Sequence, residues 1–283
     1  MNTTYSSKRQ SFAYYLNPLS TIFGIWQKRD LIFQLTRRNI QNRYKGTIIG
    51  LLWLVIIPLV MLVVYTFVFS VIFKARWGTG ASESRVAFAL ILFCGLALFN
   101  IFADSVNGSA SIISGNPNYV KKVVFPLEAL PVSVVFSAIF FGLISFLILF
   151  AGILIFMHKF SIFIIFLPLV FIPLFLLSCG VSWFVASLGA YIRDLTHVVT
   201  ILIQILIFMT PVFYNIDMVP PTFRFVLNIN PLSHIVQAGR NVLIFEKAPG
   251  WRALAIITII SLIIFQLGYA WFMKTKRGFA DVV

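Results

Sequence analysis

The chemically reactive side chains of this sequence are few and do not form a recognisable catalytic arrangement. Of the eight acidic residues, only Asp104 and Glu128 lie close to a long apolar run. Asp194 and His197 are three positions apart, so they can share one face of a helix and form a hydrogen bond. A catalytic pair is one interpretation. We favour the other, an interfacial polar cluster that ends the fourth apolar run.

Motifs that bind nucleotide or metal are missing from the sequence. There is no GxxxxGK[ST] loop to hold phosphates, no HExxH and no GxSxG. The two cysteines, Cys94 and Cys179, lie inside apolar runs, which favours buried thiols over a disulfide or a zinc site. We therefore expect no catalytic residue, metal or cofactor in this chain and no ATP hydrolysis by this chain alone.

The composition is that of an integral membrane protein. Hydrophobic residues make up 60% of the chain and charged residues 11%, whereas soluble proteins average about 45–50% and about 25%. The net charge is +14, but the bases crowd at the ends of apolar runs, where they set topology and meet anionic lipid. This pattern excludes an ordinary cytosolic enzyme and argues against nucleic-acid binding.

Six apolar runs approach the ~20 helical residues that cross a bilayer. They are 48–73, 86–106, 132–157, 160–188, 198–214 and 253–273. The fifth is the weakest, because it is short and contains Thr210 and Pro211. The fold class predicted is an all-α membrane protein with six transmembrane helices, in a domain covering 30–275 between an N-terminal cytoplasmic segment (1–29) and a cytoplasmic tail (276–283).

The distribution of bases predicts that both termini are cytoplasmic. Eight of the 22 Lys and Arg precede the first run, and three follow the last. No acidic residue lies near the middle of a run, which counts against a proton- or sodium-coupled carrier.

The segment from about 20 to 45 predicts a basic amphipathic helix at the cytoplasmic interface. Asp30 can cap its start and Gly46 can close its end, with Ile32, Phe33, Ile40 and Tyr44 on one side. A solvated basic linker is the alternative.

Two connecting segments are richer in structure than a plain turn requires. In 107–126, SASIIS predicts a short helix that ends at Gly115–Pro117 and faces a cytoplasmic partner; the alternative is a simple connection. On the outer side, Pro220–Pro221 and Pro231 each predict the start of a short helix. Their large apolar residues favour a hairpin that dips into the outer leaflet over an exposed loop.

Aromatic residues gather where the first and fifth runs end on the outer side. The set is Tyr65, Phe69, Phe208, Phe213 and Tyr214. An interfacial aromatic belt is one interpretation, and an aromatic path on which sugar rings stack is the other.

Four stretches of the sequence resemble the ABC-2 type transport permeases, and most closely those that export O-antigen and related polysaccharides (Wzm-like permeases). They are NRYKGTIIGLLWLVIIPLVMLVVYTFVFSVIFK, NPNYVKKVVFPLEALPV, LGAYIRDLTHVVTILIQILIFMTPVFY and INPLSHIVQAGRNVLIF. They occur in the order of that family over about residues 30–273. The combination is specific for the permease class and less specific for the cargo.

The resemblance implies a homodimer in the bacterial inner membrane that exports lipid-linked O-antigen for lipopolysaccharide biosynthesis. Two copies of a separate subunit would bind ATP and Mg. The residues implied to contact that subunit are Ser109, Ser111, Ile112, Ile113, Gly115 and Asn116. Those implied to meet a lipid diphosphate are Arg37, Arg38, Arg43 and Lys45, and those implied to form an outer gate are Pro220, Phe223, Pro231 and Phe245.

Other functions remain open at this point. Exporters of teichoic acid, capsule or a small lipid share much of the pattern. An integral membrane transferase would need acids or histidines clustered at one membrane face, and a passive channel a repeated filter or charged ring; neither pattern occurs.

Overall fold

The computed structural model describes residues 17–43, 45–72, 77, 85–121, 125–158 and 160–282. The described chain is built from helices joined by turns. The α-helices are α1 (Pro18–Gln27), α2 (Arg29–Arg43), α3 (Trp53–Tyr65), α4 (Arg85–Ala110), α5 (Pro117–Val120), α6 (Ala129–Gly152), α7 (Leu167–Tyr191), α8 (Leu195–Phe208), α9 (Pro221–Ile229), α10 (Pro231–Leu243), α11 (Trp251–Thr275) and α12 (Phe279–Val282).

Four helical stretches are long and apolar enough to cross a membrane. They are Val86–Ala110, Ala129–Met157, Ile162–Tyr191 and Trp251–Val282. They coincide with the second, third, fourth and sixth predicted runs, so the prediction of an all-helical integral membrane protein is confirmed in its class.

The first and fifth predicted runs form shorter apolar helices, Trp53–Phe69 and Leu195–Phe208. Helix α3 contains Pro58 and passes into a π-helical stretch, Thr66–Ile72; Phe73, the predicted end, lies outside the described residues. Helix α8 ends at Phe208, so the prediction of a helical run to Tyr214 is wrong at its outer end. Pro211 explains this, because its ring removes an N–H donor and clashes with the carbonyl four residues earlier.

The centre of the molecule is α4, whose apolar residues are almost all buried. It packs against α6, α7, α8 and α10. Helix α7 also lies closely against α11, and two glycines permit this: a Cβ on Gly268 would be 2.1 Å from the Gly180 carbonyl oxygen. Small residues that let backbones approach are typical of helix pairs in membranes. Cys94 and Cys179 are free and buried in this core.

The predicted basic helix over 20–45 is two helices, α1 and α2, with Lys28 between them. Asp30 lies in the first turn of α2, and Gly46 follows its end with a φ of +86°, as predicted for a helix-closing glycine. Ile32 is buried but Phe33 is exposed, so the predicted apolar side is only partly correct. Tyr44 lies outside the described residues.

Candidate functional site

Helix α2 is fastened to the first two turns of α6 by small polar side chains. The Asn39 side-chain amide donates to the Ser133 hydroxyl at 3.1 Å. The Thr36 hydroxyl donates to the Ile32 carbonyl at 2.8 Å, and its oxygen lies 3.4 Å from the Ser133 carbonyl oxygen. Because these contacts join backbone and short side chains, α2 and the start of α6 form one unit.

Arg38 joins α2 to the segment between α4 and α6. Its guanidinium donates to the Tyr119 hydroxyl at 2.8 Å and to the Asn116 side-chain oxygen at 3.2 Å. The same group lies 5.2 Å from the centre of the Tyr119 ring. The structure gives the Arg38 guanidinium two protein partners, and its predicted contact with a lipid diphosphate stays a prediction.

Arg43 lies elsewhere on the same helix and pairs with an acid. It donates to the Asp104 carboxylate at 2.9 Å, and both side chains are about two-fifths exposed, at 42% and 39%. The guanidinium also lies 4.3 Å from the Phe141 ring centre. Arg37 and Lys45 are exposed. Of the four bases predicted to form one cluster, Arg38 and Arg43 thus contact other protein groups, whereas Arg37 and Lys45 are exposed.

A cavity of about 320 Å³ lies beside Arg43, between α3, α4 and α6. Asp104 and Arg43 line one part of it, and Tyr65 of α3 lines another. Most of its other lining residues are apolar: Trp53, Leu54, Ile57, Pro58, Met61, Phe93, Leu96, Ala97, Ile101, Ala138, Phe141 and Gly142. The cavity is therefore lined by a charged pair in one part, by the ring of Tyr65 in another, and mostly by apolar side chains elsewhere.

The segment predicted to contact a partner is the end of α4 followed by turns, and not the separate helix expected from SASIIS. Helix α4 continues to Ala110, and the Gly115 amide donates to the Ser111 carbonyl at 2.8 Å. Gly115 and Asn116 are followed directly by Pro117, the first residue of α5. The segment between the end of α4 and Pro117 therefore forms turns and no separate helix. Of the six predicted contact residues, the exposed ones are Ser111 and Gly115, the half-buried ones Ile112 and Asn116, and the buried ones Ser109 and Ile113.

Glu128 forms a buried ion cluster just before α6. Its carboxylate is 2.7 Å from the Lys276 ammonium and also accepts a hydrogen bond from Lys28. The Trp183 indole donates to the Glu128 carbonyl at 3.0 Å. Burial by itself would raise the Glu128 pKa, but the charges of Lys276 and Lys28 outweigh it, and the pKa is lowered from its ordinary value. One carboxylate thus holds both ends of the described chain against α6.

The predicted aromatic residues of the first and fifth runs do come together. Phe69 stacks on Phe213 with ring centres 5.3 Å apart. Tyr65 lies 6.0 Å from Phe213, and Phe208 lies 5.7 Å from the same ring. The Tyr214 hydroxyl donates to the Phe208 carbonyl at 2.8 Å. Since Tyr65 also lines the cavity, the rings continue from it along α3.

Arg240 of α10 is the functional candidate that sequence reasoning missed. It is fully buried and donates to the carbonyls of Pro211, Val212 and Ile91 at 2.6, 2.7 and 3.1 Å. Its guanidinium lies 4.2 Å from the Trp77 ring centre. The signal in the sequence was one arginine among small and apolar residues of a short helix (AGRNVL), since a buried ionisable group is costly and usually has a role.

The two short helices predicted on the outer side are confirmed as α9 and α10, with Pro221 and Pro231 at their first turns. Asn230 separates them. It caps α10 by accepting from the Leu232 amide at 3.0 Å, and it donates to the Met209 carbonyl at 3.1 Å. Pro220 and Phe223 are exposed, whereas Phe245 is half-buried. The hairpin is therefore fixed to the end of α8 next to the aromatic rings.

Comparison with known proteins gives a consistent group of relatives. Residues 30–244 match the family described as ABC-2 type transporter. The chain is 27% identical over 259 residues to an O-antigen export system permease protein RfbA of Klebsiella pneumoniae, covering 90% of this chain and 95% of that protein. It is 23% identical over 261 residues to the protein of that name from Myxococcus xanthus, covering 92% and 97%. It is 24% identical over 250 residues to the polysialic acid transport protein KpsM of Escherichia coli, covering 85% and 93%.

Proposed function

The chain belongs to the ABC-2 type transporter family, and we propose that it is the permease subunit that exports a lipid-linked O-antigen-type polysaccharide. It is a multi-pass membrane transport subunit, and permeases of this family pair with ATP-binding subunits. In our proposal two copies of this chain assemble with two copies of such a subunit, which supplies ATP and Mg. Six spans with both termini cytoplasmic complete the proposed topology.

The observation that carries the cargo assignment is the row of aromatic rings formed by Tyr65, Phe69, Phe213 and Phe208. A sugar ring has apolar C–H faces that stack on an aromatic ring, and it has many hydroxyls that an aliphatic wall cannot satisfy. The ring centres lie 5.3–6.4 Å apart, and the ring faces that do not stack on one another would offer successive surfaces along which a glycan can move in small steps. An exporter of a purely apolar lipid would not need such a row.

The proposed mechanism transmits force through α2. The partner ATPase would contact the exposed turn at Ser111–Gly115, and Arg38 connects the following residues, Asn116 and Tyr119, to α2. Because α2 is hydrogen-bonded to the start of α6, movement of the turn would displace α2 and α6 together. Nucleotide binding on another chain could thus change the width of the path between α3 and α8.

The lipid diphosphate is proposed to bind at Arg37, Arg43 and Lys45. Arg37 and Lys45 are exposed, and Arg43 faces the cavity. A diphosphate could replace Asp104 as the partner of Arg43, since guanidinium binds phosphate through two parallel hydrogen bonds. The apolar wall of the cavity would then lie beside the lipid chain.

Export of a capsule polysaccharide is the second candidate, favoured by the likeness to a polysialic acid transport protein. Both candidates use the same aromatic row, so they differ in cargo and share the mechanism. Complementation of strains that lack the permease for one or the other glycan separates them.

The test of the proposed function is export in a strain that lacks this chain and retains its ATPase. Phe213→Ala removes the ring that touches Tyr65, Phe69 and Phe208, so we expect surface polysaccharide to fall at least several-fold while lipid-linked polysaccharide accumulates inside. Phe213→Trp keeps a stacking ring and should retain export. The matched control is Phe140→Ala, an exposed residue of α6 outside the row.

Export that is unchanged in a Phe69→Ala, Phe213→Ala double variant, with the protein present at normal level, would contradict the aromatic path. Export that is absent for every glycan tested with the unaltered chain would contradict the proposed cargo class.

A further inference from the structure

Helix α1 has an apolar stripe that nothing in the described chain covers. Leu19, Ile22, Phe23 and Trp26 are 75%, 49%, 61% and 64% exposed, respectively. Their spacing of three, four and seven positions places them on one face of a helix. The opposite face carries Thr21, which is 1% exposed. Exposure of this extent in four consecutive stripe positions indicates an apolar neighbour other than the described residues of this chain.

The depth of α1 relative to the sixth span follows from one buried hydrogen bond. The Gln266 side-chain amide donates to the Thr21 hydroxyl at 3.0 Å. Gln266 lies nine residues before the end of α11 at Thr275, which is ~13 Å along a helix axis. At its other end α1 is followed by Lys28, whose partner Glu128 also binds Lys276 just beyond α11. Helix α1 therefore runs beside the last part of the sixth span, with its start directed into the membrane.

The charge pattern agrees with this depth. Helix α1, PLSTIFGIWQ, contains no ionisable residue, and the first bases, Lys28 and Arg29, come directly after it. The Arg29 guanidinium lies 5.6 Å from the Trp26 ring centre. A tryptophan followed by basic residues is typical of the boundary between acyl chains and head groups.

The neighbouring span, α11, also presents exposed apolar residues. On α11 the residues Ile263, Leu267 and Trp271 are exposed, and they belong to the stretch that is long and apolar enough to cross a membrane. Two helices in contact that both present apolar residues outward form a common surface suited to acyl chains.

We propose that α1 is embedded in the membrane leaflet next to Glu128, with Leu19, Ile22, Phe23 and Trp26 covered by lipid acyl chains. From the sequence we predicted a cytoplasmic segment over 1–29 and a helix lying along the cytoplasmic interface over about 20–45, and the proposal replaces both for Pro18–Gln27. Helix α1 then acts as an intramembrane anchor that sets the height of α2, because Lys28 and the ion cluster at Glu128 connect the two. The proposal depends only on the chain being an integral membrane protein.

The experiment is site-directed spin labelling of the full chain with its ATPase in vesicles of phosphatidylethanolamine and phosphatidylglycerol. Single labels are placed by Leu19→Cys, Phe23→Cys and Trp26→Cys, and collision with oxygen, which concentrates in lipid, is compared with collision with a water-soluble nickel chelate. Leu267→Cys on the sixth span is the lipid reference, and Asp281→Cys in the exposed tail is the water reference. The unaltered chain, whose Cys94 and Cys179 are buried, gives background labelling.

We expect all three labels to favour oxygen, as at Leu267→Cys, and the ratio of oxygen to nickel collisions to rise from Trp26→Cys to Leu19→Cys. Those positions are seven residues apart, which is ~10 Å of helix. A nickel preference equal to that at Asp281→Cys would overturn the proposal in favour of a water-exposed helix. Low collision rates with both reagents would overturn it in favour of a covering protein, and a flat ratio would overturn the inclined depth.

If a variant is not recovered in the assembled complex, Ile22→Cys on the same stripe takes its place. Its ratio of oxygen to nickel collisions should lie between the ratios expected for Phe23→Cys and Leu19→Cys. Ser20→Cys, off the stripe, gives a further check because its collisions with oxygen should be fewer.

Discussion

Arg43 and Arg240 are both arginines at the edge of the apolar core, but they are satisfied in different ways. Arg43 is partly exposed and pairs with the carboxylate of Asp104. Arg240 is fully buried, and within the described residues its donors meet three main-chain carbonyls and its face meets Trp77. A carboxylate partner can be exchanged for another anion when a ligand arrives. Main-chain carbonyls cannot move aside in this way, so Arg240 belongs to the fixed frame, whereas Arg43 is the arginine that our proposal places at the lipid-diphosphate site.

The local surroundings explain why each arginine is tolerated. Around Arg240, Gly95 leaves the space that the guanidinium needs, because a Cβ there would be 2.5 Å from a guanidinium nitrogen. The carbonyls of Pro211 and Val212 are free of helical partners because α8 has already ended. The arginine thus satisfies acceptors left free where α8 ends before Pro211, and it links the hairpin of α9 and α10 to the end of α8.

The largest effect is expected at Arg240. Arg240→Ala leaves the carbonyls of Pro211 and Val212, which lie beyond the end of α8, without this donor in an apolar region, and each unsatisfied group costs about 1–3 kcal/mol. We expect a loss of stability of at least about 2 kcal/mol, measured as thermal unfolding of the purified chain in detergent. Arg224→Ala is the matched control, because Arg224 also donates to two carbonyls but is only part-buried. Equal melting temperatures for the two variants would remove the distinction between fixed and exchangeable arginines.

The next effect is expected at the ion cluster. Glu128→Gln leaves Lys28 and Lys276 without their shared carboxylate, at a cost of about 1–3 kcal/mol, below that of a fully buried pair because both lysines are partly exposed. Asp30→Asn is the control, since the carboxylate of Asp30 is exposed and 3.9 Å from Arg29. Thermal unfolding at pH 7 should separate the two variants.

The pH dependence sharpens the same prediction. The pKa of Glu128 is lowered in the folded chain, so its contribution is present above the unfolded value of about 4.5 and is lost as the pH falls below it. The unaltered chain should lose more stability than Glu128→Gln as the pH is lowered from about 5 to about 3. If the stability of both proteins changes equally with pH, protonation of the Glu128 carboxylate does not weaken the ion cluster.

A smaller effect is expected at Arg38. Arg38→Lys keeps the charge but cannot hold both Asn116 and Tyr119, and one lost hydrogen bond of about 1 kcal/mol corresponds to roughly a fivefold change. We expect polysaccharide export to fall several-fold while the ATPase still co-purifies and hydrolyses ATP. Arg29→Lys, at an exposed position of α2 outside the proposed diphosphate site, is the control for the Arg-to-Lys change. If Arg37→Lys lowers export and Arg38→Lys does not, α2 acts by binding the lipid and not by transmitting movement.

The smallest effect is expected from single cysteines in the turn Ser111–Gly115, which test whether this turn contacts the ATPase. Ser111→Cys is exposed and should cross-link to a cysteine in the bound ATPase, whereas Ile113→Cys should not, because Ile113 is 0% exposed. Cross-linking is read from gel mobility of the intact complex. A link at Ile113→Cys alone would mean that the segment rearranges on assembly, and no link at Ser111→Cys in an intact complex would place the ATPase contact elsewhere.

Local features were predictable because they depend on residues that are near one another in the chain. The helices at Val86–Ala110 and Trp251–Val282 follow from continuous apolar composition. The two outer helices follow from Pro221 and Pro231, and the end of α2 from Gly46. The error at the fifth run has the same origin, since Pro211 indicated an early end and the apolar residues after it suggested continuation.

By itself the sequence therefore determined the membrane class, most helix positions and the hairpin, through composition, periodicity and proline and glycine stereochemistry. Only the tertiary structure decided which charges meet. Glu128 binds Lys28 and Lys276, which are 100 and 148 positions away, and Arg240 reaches Ile91 across 149 positions. Four bases within nine residues, three in α2 and Lys45 just after it, looked like one cluster, but a helix turns by about 100° per residue. Packing against α4, α6 and the intervening turn therefore sent Arg38 and Arg43 to different partners.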